Sequence, residues 1–157
     1  MMRFRTSKIS EVRVMLVRET PEPLQLIQTP GNTHDAFFKM LPPSWDPDKE
    51  HMYVQLLNTK NQLIYIDLVS MGTSEATLVD QRSVFRKAVA VNAAAIILIH
   101  NHPSGDPSPS AEDIAVTKKM IEAGRTLGID VLDHIIVGRS HQQPFMSMRE
   151  HGLVAFD

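Results

Sequence analysis

The sequence predicts an α/β protein, a three-layer sandwich in which helices cover both faces of a mixed β-sheet. Two observations support this fold class. Apolar runs of strand length alternate along the chain with segments of helical periodicity. One of these runs, residues 93–100, is continuously apolar up to its final histidine, as in a central strand that is buried on both faces. A chain of 157 residues is also long enough to bury one hydrophobic core.

The chain is expected to divide into two parts. Residues 1–49 would form an N-terminal appendage of short strands and a helix, and residues 50–157 would form the main domain. The boundary lies in residues 42–50, which are rich in proline and acidic side chains and resemble a linker.

Within the appendage, residues 12–17 suit a half-buried strand and residues 24–27 a second extended piece. Residues 32–41 have the pattern of a short helix, with Asn32 or Thr33 as its N-cap. Two consecutive prolines then end this helix, because proline cannot continue the helical hydrogen bonding.

The main domain is expected to begin with two neighbouring antiparallel strands, residues 51–57 and 62–69. The four polar residues between them are a connection of hairpin length. A helix over residues 81–92 follows, since its apolar positions have helical spacing and Asp80 is placed to cap it.

The second half of the main domain starts with the central strand, residues 93–100, followed by a loop rich in proline and serine. A helix over residues 110–128 comes next, with Gly128 as a natural stop. Residues 129–138 supply a further strand, and the segment 144–150 contains a short final one.

Composition limits the chemistry. The chain has no cysteine and seven histidines, which excludes disulfide scaffolds, cysteine zinc fingers and thiol nucleophiles. A formal charge of −2 lacks the basic excess of a duplex-binding domain, although residues 1–18 hold five basic side chains against one acidic one. With no signal-like or membrane-spanning apolar segment, we expect a soluble, cytoplasmic protein.

The most informative residues lie where the central strand ends and the next helix begins. In an extended chain His100 and His102 point to the same side, about 7 Å apart at their Cα atoms, so both imidazoles can reach one metal ion. Zinc accepts histidine nitrogens and carboxylate oxygens, and Asp113 is the obvious third ligand. A hydrogen-bonded histidine pair without metal is the alternative for these two residues.

Other polar residues near this loop allow more than one interpretation. Ser110 and Asp113 have the spacing of a capping box, in which Ser110 is the N-cap, and this role is compatible with a second role in chemistry. His134, on a predicted strand, is either a core histidine bonded to backbone or an outer partner of the metal site. The remaining histidines are expected in loops or on the surface: His34, His51, His141 and His151.

The spacing of this motif resembles a known family. His-x-His, seven residues, Ser, two residues and Asp resemble the JAMM signature of the MPN domain metalloproteases, and HNHPSGDPSPSAED resembles the form in the RadC-like proteins. The resemblance extends over about residues 50–150. It implies the MPN/JAMM fold, which has a deaminase-like architecture.

The resemblance also implies roles for individual residues. The zinc ligands would be His100, His102 and Asp113. Ser110 would stabilise the oxyanion, and Glu50, just before the first strand of the main domain, would polarise the metal-bound water. Glu75 is a fallback candidate for that last role, without support from the motif.

Two functions are therefore carried forward. The first is a zinc-dependent metallopeptidase that hydrolyses a peptide or isopeptide amide through a metal-activated water. The second is a catalytically silent binding module, or a DNA-repair-associated factor, on the same fold. The expected partner is a peptide or protein substrate; nucleic acid is weakly indicated, and edge strands could form a homo-oligomer.

Overall fold

The computed structural model describes residues 24–72 and 79–156. Within these ranges the elements are α1 (Pro30–Met40), β1 (Glu50–Leu57), β2 (Leu63–Gly72), α2 (Gln81–Ala90), β3 (Ala95–Asn101), α3 (Ala111–Leu127), β4 (Asp130–Val137) and β5 (Phe145–Ser147). The predicted α/β class with a mixed sheet is confirmed. The predicted strand at 12–17, the basic segment 1–18 and Glu75 lie outside the described residues.

The five strands form one open sheet in the order β2-β1-β3-β4-β5. β1 pairs antiparallel with β2 and with β3, whereas β3 and β4 run parallel and β5 closes the other edge antiparallel to β4. The predicted hairpin is confirmed, and Asn61 in its turn has φ 55°, a left-handed conformation that asparagine tolerates. The predicted central strand β3 is the third of the five.

The helices cover both faces of this sheet. α2 and α3 pack on one face, in a core that includes Val54, Leu56, Phe85, Ile96, Leu98 and Met120. α1 packs on the other face, in a core that includes Phe37, Tyr53, Leu57, Ile97 and Ile99. Each such side chain contributes about 1.5–3 kcal/mol when fully buried, so burial on both faces explains why β3 is apolar along almost its whole length.

Helix α1 begins earlier than the sequence indicated. Its N-cap is Thr29, whose side chain accepts from the Asn32 N–H, and Pro30 occupies the first helical turn. The expectation that Asn32 or Thr33 caps the helix is therefore wrong. Proline has no N–H to lose and a φ suited to that position, and Asn32 instead reaches back to the Thr29 N–H at 3.3 Å.

α1 lies in the segment assigned to the appendage, yet it forms one layer of the sandwich. The buried Ala36 and Phe37 bring it against the sheet. The division into residues 1–49 and 50–157 stays a prediction, because most of the first segment lies outside the described residues.

Two other sequence predictions concern the ends of α3. Ser110 is its N-cap, and Gly128, with φ 68°, ends it in the left-handed conformation, as expected. Helix α3 therefore starts ten residues after the buried end of β3 and runs back along the sheet. None of the helices within residues 24–72 and 79–156 has the length and apolar character that a bilayer-spanning segment needs.

Candidate metal centre

Three side chains converge where β3 ends and α3 begins, and we refer to them as the ligand cluster: His100, His102 and Asp113. The Nε2 atoms of the two histidines are 2.8 Å apart. Asp113 Oδ1 lies 3.2 Å from His100 Nε2, and Asp113 Oδ2 lies 3.5 Å from His102 Nε2. The structure thus brings together the three residues that the motif singled out.

The hydrogen bond on the far side of His102 determines its tautomer. Its Nδ1 lies 2.7 Å from the Asp106 carbonyl oxygen, which can only accept. Nδ1 therefore carries a proton, and the neutral ring presents the lone pair of Nε2 to the cluster.

The tautomer of His100 follows from a chain of buried hydrogen bonds. The Thr117 hydroxyl donates to the Asp113 carbonyl at 2.6 Å, a common bond of helical threonine to the residue four positions back. Its oxygen then accepts from His134 Nδ1 at 2.6 Å. His134 Nε2 is left to accept from His100 Nδ1 at 2.8 Å, so Nε2 of a neutral His100 also carries a lone pair.

The pKa values of three residues at the cluster are shifted by burial and by hydrogen bonds within it. Burial raises the pKa of Asp113, but hydrogen bonds with His100 and His102 outweigh it and hold the pKa far below its usual range. The hydrogen bond to Asp113 raises the pKa of His102. Burial, with His100 nearby, lowers the pKa of His134 well below its usual value and keeps that ring neutral.

Two nitrogen lone pairs and a carboxylate that face one another require a cation between them. A proton can serve this purpose, and so can a metal ion. Four tetrahedral ligands at zinc bond lengths are about 3.3 Å apart, close to the three donor distances of 2.8, 3.2 and 3.5 Å. The donor set and its outer hydrogen bonds fit zinc, with a position left for a further ligand.

Ser110 and Asp113 form the capping box that the sequence suggested. The Asp113 N–H donates to Ser110 Oγ at 3.1 Å, and the Ser110 N–H donates to Asp113 Oδ2 at 2.7 Å. Ser110 Oγ donates to the same Oδ2 at 2.7 Å. Ser110 thereby occupies one carboxylate oxygen and leaves Oδ1 facing His100.

Glu50 lies across a groove from this loop. It is the first residue of β1, half-buried, and lines a cavity of about 470 Å³ together with Lys49, Gly72, His102 and Ser104. Its charge is one of the smaller causes that raise the pKa of His102. Glu50 is therefore placed on the side of the cluster that solvent can reach.

A second group with the same composition lies where α1 meets the β4–β5 loop, and we refer to it as the helix-loop cluster: His34, Asp35 and His141. His141 Nε2 lies 2.8 Å from Asp35 Oδ1, and His34 Nδ1 lies 3.6 Å from the same oxygen. The Nε2 atom of His34 is buried without a hydrogen-bond partner. The hydrogen bond between His141 and Asp35 accounts for the short contact in this cluster without a metal.

The sequence did not predict the burial or the hydrogen bonds of several polar residues. His34 and His51 are 4% and 3% exposed, so their placement in loops or on the surface is wrong. Both lie in regular elements, α1 and β1, whose buried faces are mostly apolar. The spacing does give a signal for Thr117, which follows Asp113 by four residues on one helix face and is therefore placed near the ligand cluster, where it bonds His134.

Comparison with known proteins gives this geometry a family context. A family model described as the RadC-like JAB domain matches residues 29–153. A UPF0758 protein of Desulforamulus reducens is 50% identical over 69% of this chain and 47% of its own length. Another, of Methanosarcina barkeri, is 47% identical over 76% of this chain and 51% of its own length. The chain spans about half the length of these curated relatives.

Proposed function

The chain belongs to the RadC-like JAB domain family, and from that premise we propose that it is a zinc-dependent metallopeptidase. Its reaction would be the hydrolysis of a peptide or isopeptide amide, in the cytoplasm, with a peptide or protein as the partner. The observation that supports this proposal best is the ligand cluster, in which outer hydrogen bonds direct two histidine lone pairs and one carboxylate oxygen at a common point.

The ligands of the proposed zinc are His100, His102 and Asp113. Zinc at this position would supply Lewis-acid polarisation of an amide carbonyl and acidification of a water molecule. His134 and Asp106 would hold the two imidazoles in the tautomer that binds metal, and Ser110 would hold the carboxylate.

Glu50 is the proposed general base. It would take a proton from the attacking water and pass it to the leaving amine as the carbon–nitrogen bond breaks. Its position in the groove beside His102 supports this role.

Ser110 would donate a hydrogen bond to the oxyanion of the tetrahedral intermediate. Its hydroxyl now donates to Asp113 Oδ2, so it would have to rotate from the carboxylate to the oxyanion as negative charge develops there. One such contact can contribute about 3 kcal/mol to the transition state.

The test has two parts. Metal analysis of purified protein should find about one zinc per chain, and peptide and isopeptide libraries should be cleaved. Glu50→Gln should reduce cleavage to a small residual rate and retain zinc, whereas Glu112→Gln, which changes an exposed acid in the first turn of α3, should change neither. A zinc-free protein of equal stability would contradict the proposal. Tight, steeply salt-dependent DNA binding without hydrolysis would favour the binding-module alternative.

A further inference from the structure

Asn101 stands between the two histidines of the motif and faces away from solvent completely. Its exposed fraction is 0%, and its carboxamide is hydrogen-bonded at both ends to the segment that carries Glu50. Asn101 Oδ1 accepts from the His51 N–H at 2.9 Å, and Asn101 Nδ2 donates to the Lys49 carbonyl at 2.9 Å. One side chain therefore binds the backbone on both sides of Glu50.

This contact lies where main-chain pairing between β1 and β3 has ended. The register runs from Leu57↔Ala95 to Met52↔His100 and stops there. Beyond this point the carboxamide of Asn101 takes the place of a main-chain partner. It holds β1 against β3 while a groove opens between Glu50 and His102.

Arg139 makes a second connection, at the surface, between the residues that precede Glu50 and the residues that follow His102. The guanidinium of Arg139 pairs with Asp48 at 2.5 Å and donates to the Pro103 carbonyl at 3.0 Å. The Arg139 side chain is 41% exposed, so water competes for its bonds. The amide of Asn101 is buried, so water does not compete for its two hydrogen bonds.

We propose that Asn101 is a positioning residue, which sets the location of the Glu50 carboxylate relative to the ligand cluster. This inference rests on the proposed function, in which Glu50 is the base. A base must lie within hydrogen-bond reach of the proton that it takes, and a misplacement of about 1 Å can cost about 100-fold in rate. In this role the Asn101 side chain contacts neither the substrate nor the side chains of the ligand cluster. It acts through Glu50.

The kinetic test is a double-mutant cycle. Asn101→Ala should lower kcat by about 10- to 100-fold, with KM and zinc content retained. In a Glu50→Gln background the same change should lower the residual rate less than about 3-fold, because the residue through which Asn101 acts is already disabled. An equal loss in both backgrounds, or no loss in either, would overturn the proposal.

Two further variants sharpen this test. Asn101→Asp keeps an acceptor for the His51 N–H but sets a carboxylate oxygen against the Lys49 carbonyl, so it too should lower kcat. Asn58→Ala removes a comparable set of side-chain bonds in the β1–β2 turn. It should leave kcat unchanged.

A measurement independent of hydrolysis separates this inference from the proposed function. In protein loaded with Co²⁺, paramagnetic relaxation of the ¹³C-labelled Glu50 carboxyl reports its distance from the metal. Asn101→Ala and Asn101→Asp should weaken that relaxation, and the His51 amide should exchange faster. If the wild type cleaves no amide, the proposed function fails while this readout still decides the inference. Equal Glu50 relaxation in wild type and variants would refute the positioning role.

Discussion

Two groups of the same composition, two histidines and one aspartate, occur within residues 24–72 and 79–156, and their surroundings differ. In the ligand cluster each histidine has a hydrogen-bond partner on its far nitrogen, either His134 or the Asp106 carbonyl. In the helix-loop cluster, His34 Nε2 is buried with no partner. The side chains of Asp35 and His141 are 62% and 49% exposed.

The comparison shows that donor count and donor distance are weak criteria for a metal site. Both clusters bring three ligand atoms within 4.8 Å of one another. In the first, outer hydrogen bonds direct two lone pairs at one point, and only a cation relieves their repulsion. In the second, an ordinary hydrogen bond joins the exposed side chains of His141 and Asp35. The hydrogen-bond partners on the far side of the histidines therefore distinguish the ligand cluster from the helix-loop cluster.

The largest expected difference between the clusters is in zinc content. His100→Ala or Asp113→Asn should lower zinc from about one ion per chain to nearly none after dialysis, because the remaining two donors bind weakly. His141→Ala, the matched change in the helix-loop cluster, should leave zinc unchanged. Metal analysis by mass spectrometry checks both. Loss of zinc in the His141 variant would contradict the conclusion that only the ligand cluster is directed at a metal.

The next largest effect concerns the residues that cap the two helices. Ser110→Ala and Thr29→Ala each remove the cap of a capping box and should each cost about 1 kcal/mol of unfolding free energy. Ser110→Ala should also lower the amide hydrolysis rate by about 100-fold, through loss of the oxyanion contact. Urea unfolding and hydrolysis rates separate the two effects; similar hydrolysis in both variants would restrict Ser110 to capping.

A smaller effect is expected for the outer partner of His100. His134→Phe removes the acceptor that directs His100 Nδ1 and should weaken zinc binding by about 10- to 100-fold. Thr117→Val should act in the same direction, since it leaves His134 Nδ1 unpaired. Competition with a coloured chelator measures the affinity, and His34→Phe serves as the control. Equal affinity in wild type and the His134 variant would mean that the ligand cluster does not need its outer partner.

The smallest effect is a pH dependence in the helix-loop cluster. Burial, and then the nearby His141, lowers the pKa of His34 below its usual value. The unfolded chain therefore binds this proton more readily than the folded one, and stability falls as the pH drops from about 6.5 toward the lowered pKa. His34→Phe should reduce the stability lost between about pH 7.5 and pH 5.5. Urea unfolding at both values tests this, and an unchanged loss would contradict it.

Much of the fold could be predicted because its signals are local. Asp80 caps α2 and Gly128 ends α3 at the positions that their chemistry suggested. The predicted start of α1 is wrong, because Thr29, Asn32 and Thr33 are all residue types that cap helices well, and Pro30 favours Thr29 among them.

The ligand set could be proposed from spacing, since His100 and His102 share one side of a strand end and Asp113 opens the next helix. The surrounding partners could not be found this way. His134 faces His100 because β4 lies parallel to β3 with Leu98 opposite His134, and Asn101 reaches β1 through an antiparallel pairing across fifty positions of sequence.

The sequence by itself therefore determined the order of strands and helices, the absence of thiol chemistry, and the three side chains proposed as metal ligands. Only the tertiary structure decided which histidine nitrogens carry lone pairs, where Glu50 lies, and which of two clusters of the same composition directs its lone pairs at one point. The reason is physical. Periodicity and capping depend on neighbours in the chain, whereas tautomers and burial depend on groups that distant elements bring into contact.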